Sequence, residues 1–327
     1  MPSPTPNAFV RRARKIYTPL GFKKGYNFTL FFIFGGAWLG FTLARLQFLN
    51  FSIFCQEASP GECFYYKDLG YVGLYLHLGC ILPGALLAFL QFIPAIRYKA
   101  IIIHRINGYI IILLVIASNI GALMIARHAF GGLISTQAAV GFLVILTTTA
   151  MAIAYYNIKR LQIEQHRAWM LRSFFYMGSI ITVRIILITA AVIISKQPYF
   201  MSQPCDKIDY LLGEQETLQR YPVCGRYYNG SQPDQHVSVL ANFNGYVDQI
   251  ASALNANFGM ALWLAVAMHG IGVEVYLQLT PRESNRLREV SYQRQLEAGF
   301  ENPGRAGLTV DKIGDGELWV PGKTGNT

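Results

Sequence analysis

The chain has 327 residues, 53% hydrophobic and 14% charged, against roughly a quarter charged in an ordinary soluble domain. A soluble globule of this size could not hide that much apolar surface. The formal charge of +10 points to nucleic acid only until the cations are located: they flank long apolar runs, so no nucleic-acid partner is expected and a lipid bilayer is.

Residues 1–26 form a basic, cytosolic N-terminal segment with Arg11, Arg12, Arg14, Lys15, Lys23 and Lys24. The apolar run that follows is too long for a signal peptide and has no small-residue cleavage site after it, so it is expected to remain in the membrane. Six spans are expected, at 27–49, 71–96, 104–126, 133–156, 169–195 and 255–279. Each reaches the ~20 residues that carry a helix across ~30 Å of hydrocarbon. Stretches such as 110–116 and 185–194 are apolar on all sides, which fits helices rather than the alternating strands of a barrel. The fold class is therefore an all-α, polytopic transmembrane helical bundle over 27–279, with outer loops at 50–70 and 196–254. Pro83 and Pro94 are expected to kink the second helix. Small-residue steps at Gly36 to Gly40 and Ala117 to Gly121 suit close helix packing. The tail, 280–327, is polar; a short amphipathic helix near 283–296 is expected, and disorder elsewhere.

Orientation follows from the positive-inside rule. With the N-terminus in the cytosol, that side receives the basic N-terminal segment, the loop around Arg97, Lys99 and Arg105, the stretch from Lys159 to Arg172 and the C-terminal tail. The other side receives only Lys67, Arg127, Lys196, Lys207, Arg220 and Arg226. Both termini are thus expected to be cytosolic.

Cysteine placement agrees. Cys55 and Cys63 share one outer loop and Cys205 and Cys224 the other, so two intraloop disulfides in an oxidising compartment are expected. Sequence proximity favours this pairing among the three possible ones. Asn229, heading an Asn-Gly-Ser triplet in the long loop, is a candidate glycosylation site in a eukaryote. Secretory-pathway or plasma membrane is the corresponding location.

Ionisable groups inside a membrane are expensive and therefore informative. By helical rise, His77 lies ~21 Å above the inner edge of the hydrocarbon, Arg184 and Asn119 ~22 Å, and Gln137 ~24 Å. These four are expected to converge on a polar pocket; a hydrogen-bonded network that merely holds helices together is the alternative. The histidines suggest a second arrangement. His77 and His128 lie toward the outer face, His104 and His166 toward the cytosolic one. A b-type haem takes an axial imidazole from each of two facing helices and cations near its propionates. Arg127 or Arg184 would serve an outer haem, and Arg105, Arg167 or Arg172 an inner one, with His77 and His104 among the iron ligands. Capping of a helix end is the simpler account of His128. His269 and Glu274 in the last helix are five residues apart and are not expected to share a face.

The run His104-Arg105 with Asn107-Gly108-Tyr109, and Gln165-His166-Arg167-Ala168-Trp169-Met170-Leu171-Arg172-Ser173, resembles a family of multi-pass membrane proteins, domain of unknown function 2306, common in fungi and bacteria. The resemblance covers roughly residues 70–195. It implies that His77, His104 and His166 act together, and it supplies no activity. A looser likeness is to transmembrane cytochromes with paired histidines. No phosphate loop, His-Glu-x-x-His helix, Gly-x-Ser-x-Gly elbow or aspartate-rich pair is present, which removes those enzyme classes.

Three readings remain open. One is a haem-binding transmembrane oxidoreductase or electron carrier with a redox partner. Another is a non-redox enzyme or binder of a small lipophilic molecule at the pocket around His77 and Arg184. The third is an accessory or scaffold protein.

Overall fold

A computed structural model describes residues 8–322. Among the described residues, six helices are long and apolar enough to cross a membrane: Gly25–Leu49, Asp68–Gln91, Ile101–Ile125, Ile134–Lys159, Ile163–Ile194 and Val247–Gln278. They are numbered spans 1 to 6. With the backbone groups paired inside the helix everywhere but its end turns, such segments are stable in lipid. Spans 5 and 6 start earlier than their apolar runs, because the polar turns around Glu164-Gln165-His166 and Asp248-Gln249 continue the helix. Span 2 ends at Gln91. Pro94, expected to kink it, instead opens a separate helix, Pro94–Lys99, at a position where its missing N–H is harmless. Pro83 does lie inside span 2.

The chain divides into two compact units: Met1–Leu133 with Ile188–Asn257, and Ile134–Leu187 with Phe258–Thr327. In the first, spans 2 and 3 pack backbone to backbone. A Cβ on Gly121 would fall 2.5 Å from the His77 amide nitrogen and 2.6 Å from the Gly73 carbonyl oxygen, and one on Gly73 would fall 2.9 Å from Met124 Cβ. Glycine at both places is what permits the approach. Of the expected small-residue steps, Gly121 packs this way, whereas a Cβ at Gly36 or Gly40 would meet nothing within 4 Å.

The segments expected as outer loops carry both disulfides, Cys55–Cys63 and Cys205–Cys224, with Cα separations of 5.0 and 5.6 Å. Helix Phe51–Glu57 begins at Asn50, whose side chain accepts from the Ser52 and Ile53 amides. The longer segment is a small folded element. Strand β1 (Phe200–Pro204) pairs antiparallel with β2 (His236–Leu240), Phe200 facing Leu240. Helices Cys205–Leu212, Glu214–Arg220 and Gly225–Tyr228 fill the connection. Its core is Cys205, Ile208, Cys224, Val237 and Val239, too few side chains to hold a fold alone, so the disulfide supplies a cross-link a larger core would not need. Tyr221 donates to Asp248 at the start of span 6, and Tyr228 to Asp209, both at 2.6 Å. Burial, reinforced by those carboxylates, raises both phenols.

In the second unit, Trp263 of span 6 donates to the Ser135 carbonyl and stacks on Phe142 of span 4. The described part of the tail, through residue 322, makes specific contacts. Helix Pro281–Glu297 follows span 6, and the chain after it folds onto the connection between spans 4 and 5. Gln162 Oε1 accepts from the amide of Gly307 at 2.9 Å, Asn157 Oδ1 from that of Leu308 at 2.8 Å, and Gln295 Oε1 from that of Gly304 at 2.6 Å. Ser291 donates to Glu164 at 2.6 Å. Asn157, Gln162, Ser291 and Gln295 are fully buried, so their polar atoms stabilise the tail by being paired there.

Candidate functional site

Both units carry polar side chains on their spans. In the first, Gly121 brings span 2 close enough for His77 Nδ1 to lie 3.1 Å from the Ser118 carbonyl and 2.9 Å from the Ser118 hydroxyl. A carbonyl only accepts, so Nδ1 carries a proton, and in the neutral ring the lone pair is on Nε2. One helical turn from the other end of the same pair of spans, Asn107 donates to the Leu87 carbonyl and Gln91 to that of His104. The His104…Asn107 motif therefore clamps spans 2 and 3.

His128 lies beyond the end of span 3, its ring stacked on Tyr65 with centroids 5.4 Å apart. Ser118, to which His77 is bound, is seven residues before Ile125, or about 10 Å along the helix axis. His77 and His128 are thus not brought to one iron.

Between the two disulfide-bearing segments sits Lys207, 1% exposed. Gly61, at φ +76°, lets the first segment cross over its stem: a Cβ there would stand 2.8 Å from Lys207 Cε. The ammonium lies 5.0 Å from the Tyr65 ring centre. With the Asn255 amide oriented to satisfy both its ends, Oδ1 accepts from Lys207 at 2.8 Å and the nitrogen donates to Ala251. Burial pushes the amine down to about 8, against Glu62 and Asp206, which push it up. Burial and the same carboxylates raise the Tyr65 phenol to about 12. Closed from solvent, this lysine joins the two segments to the start of span 6.

The second unit holds a line of polar groups between spans 5 and 6. His269 Nδ1 lies 2.7 Å from the Phe175 carbonyl, and its Nε2 lies 2.8 Å from the Thr182 hydroxyl. The carbonyl only accepts, so Nδ1 carries a proton; in the neutral ring Thr182 then donates to Nε2, and in the charged ring it accepts from it, so both nitrogens are engaged in either state. Toward the C-terminal end of span 6, Glu274 takes two hydrogen bonds from Arg172, at 2.6 and 2.9 Å. The arginine also lies over the Trp169 ring, 4.6 Å from its centre. The arginine side chain is 20% exposed and the glutamate 46%. Both His269 and Glu274 meet span 5, although their five-residue spacing argues against a common face on span 6 alone. The sequence signal that could have found them is the pairing with span 5's own polar positions, Arg172 and Thr182.

Of the four residues expected to form one polar layer, His77 and Asn119 belong to the first unit and Gln137 and Arg184 to the second. The Arg184 guanidinium lies 6.0 Å from the Phe258 ring centre. His166, in the first turn of span 5, has Nδ1 3.0 Å from the Ala154 carbonyl. Asn229 is exposed after helix Gly225–Tyr228, its side chain accepting from the Ser231 amide.

Six apolar helices, paired cysteines outside them and ionisable groups placed between them define an integral, multi-pass membrane protein. Residues 74–203 match the family described as Predicted membrane protein (DUF2306), which agrees with the reach of the resemblance read from the His104 and His166 motifs. That stretch runs from span 2 into β1 and leaves out span 6. The chain is also 24% identical over 309 residues to "Ava biosynthesis cluster protein G" of Aspergillus versicolor, covering 79% of this chain and 90% of that protein. No solved structure matches.

Proposed function

We propose that the protein is a membrane-embedded enzyme that moves a proton on a small lipophilic molecule, with His269 as the group that accepts or donates it. The observation that carries this reading is the His269–Thr182 pair between spans 5 and 6. Histidine is the side chain whose charge state changes most readily near neutral pH, and ionisable groups kept inside a membrane mark function by default. His269 lies nine residues before the end of span 6, about 14 Å along the axis. In the neutral ring the Thr182 hydroxyl donates to Nε2, so when the Thr182 oxygen takes a proton from the bound molecule its own proton passes to Nε2, leaving an imidazolium and a restored hydroxyl; the reverse step returns the proton. The Arg172–Glu274 pair toward the helix end provides a charged partner for a polar group on the same molecule. The likeness to a protein of a fungal biosynthesis cluster supports a small-molecule product. Profiling apolar metabolites in a host that lacks the protein, complemented with wild type or His269→Gln at equal membrane levels, tests it. A metabolite restored by wild type alone is expected; equal restoration by both would defeat the reading.

A second reading keeps haem b, with His77 as its axial ligand. What favours it is the tautomer: an imidazole held at Nδ1 by a backbone carbonyl presents Nε2 to a metal. The outer partner expected for it, His128, does not fit. A Soret band in protein purified from haem-replete cells, lost in His77→Ala, would support this reading, and its absence in wild type would remove it.

A further inference from the structure

Residues 1–56 contain Arg11, Arg12, Arg14, Lys15, Lys23, Lys24 and Arg45 and no carboxylate; the first in the chain is Glu57. Two of these cations are built into a cavity. Helix Ala8–Tyr17 ends with Arg14 and Lys15 in its last turn, and the chain then reverses: the Gly21 amide donates to the Thr18 carbonyl and the Phe22 amide to that of Tyr17. The turn is seated on helix Pro94–Lys99 by a hydrogen bond from the Ala95 amide to the Leu20 carbonyl, 2.9 Å. Gly21 makes this possible. Its φ of +87° is left-handed, and a Cβ there would stand 2.7 Å from the Ala95 nitrogen, so other residues are strained as well as obstructed.

Buried Tyr17 and Phe22 form the base, with Phe22 packed against Phe28 and Phe31 of span 1. The result is an open cavity of about 480 Å³ lined by Arg14, Tyr17, Thr18, Phe22, Lys23 and Tyr98. Arg14 and Lys23 make no ion pair with a carboxylate among the described residues. Lys24 is followed directly by the first residue of span 1, Gly25, so the cavity adjoins the end of that span.

From this we infer a binding site for a phosphate-bearing anion, with Arg14 and Lys23 on the phosphate, the Thr18 hydroxyl available to it, and the aromatic base against the apolar part of the same molecule. Two cations with no competing carboxylate favour a phosphate. The aromatic floor and the adjoining span favour the headgroup of an anionic phospholipid over a free ion.

The test uses the full-length protein in nanodiscs of phosphatidylcholine with and without phosphatidic acid, read by native mass spectrometry for retained phosphatidic acid. Wild type is expected to retain it, and the Arg14→Gln Lys23→Gln variant to bind it about tenfold or more weakly. Arg11→Gln Arg12→Gln, which removes the same charge from outside the cavity, is expected to behave as wild type. Displacement by inorganic phosphate would support the phosphate site but give it a soluble occupant. No retention by wild type, or equal loss in both variants, would overturn the proposal.

Discussion

Arg172 and Glu274 face each other across spans 5 and 6 through two hydrogen bonds, at 2.6 and 2.9 Å. Two-point geometry of this kind is specific to arginine and a carboxylate, and breaking one side leaves the other charge without its partner. Glu274→Gln is therefore expected to lower stability by on the order of 1–3 kcal/mol, and Arg172→Gln Glu274→Gln by less than Glu274→Gln alone. Thermal unfolding in detergent of the single and double variants checks this; purely additive losses would contradict the pairing.

Lys207 predicts a pH dependence. Its amine is lowered from 10.5 to about 8, so below pH 8 it is protonated in both states and the burial penalty is fully present. Between pH 8 and about 10.5 the unfolded chain holds the proton more tightly, and folded stability rises with pH. Tyr65, raised from 10.0 to about 12, works in the opposite sense above pH 10. A gain on the order of 2 kcal/mol from pH 8 to 10 is expected, and Lys207→Met is expected to flatten it. A wild-type melting temperature that falls through this interval would be the wrong sign.

The Cys205–Cys224 bond encloses the small core of Ile208, Val237 and Val239. Cys205→Ser Cys224→Ser is expected to destabilise this element by about 2–5 kcal/mol and to open it to proteolysis between residues 205 and 240, with the spans intact. Unchanged protease resistance would show that the core holds without the bond.

Gly121→Ala places a methyl against the His77 backbone, which cannot yield as a flexible side chain would. A loss of about 1–3 kcal/mol is expected, with the Ser118–His77 contact disturbed. Gly40→Ala, where a Cβ would meet nothing, serves as the comparison and should be near neutral. Equal melting temperatures for the two variants would count against the close packing.

The six spans were legible because lipid imposes one rule on every residue they contain, and apolar runs of sufficient length report it directly. Helix ends were less so. Asp248 and His166 sit on helices that continue past the apolar stretch, and composition follows the hydrocarbon rather than the hydrogen bonding. The disulfide pairs were readable from loop membership, but the fold around them was not, since Ile208 and Val239 are far apart in sequence and the two strands that alternate in burial are only five residues each. The tail's contacts were invisible for a different reason: Asn157, Gln162 and Gln295 read as solvated residues until backbone amides more than a hundred residues away, or across a tight turn, are brought to them. His269 and Glu274 were set aside on helical spacing, a test that considers one helix and not the neighbour both residues meet.

Proton transfer at His269 is tested most directly by isotope exchange. Purified protein in nanodiscs is mixed with an apolar extract of its host in D2O, and the extract is examined by mass spectrometry. Deuterium entering one metabolite with wild type, and no faster than the protein-free control with His269→Gln, is the predicted result. Equal incorporation by the variant, or none by wild type, would contradict it.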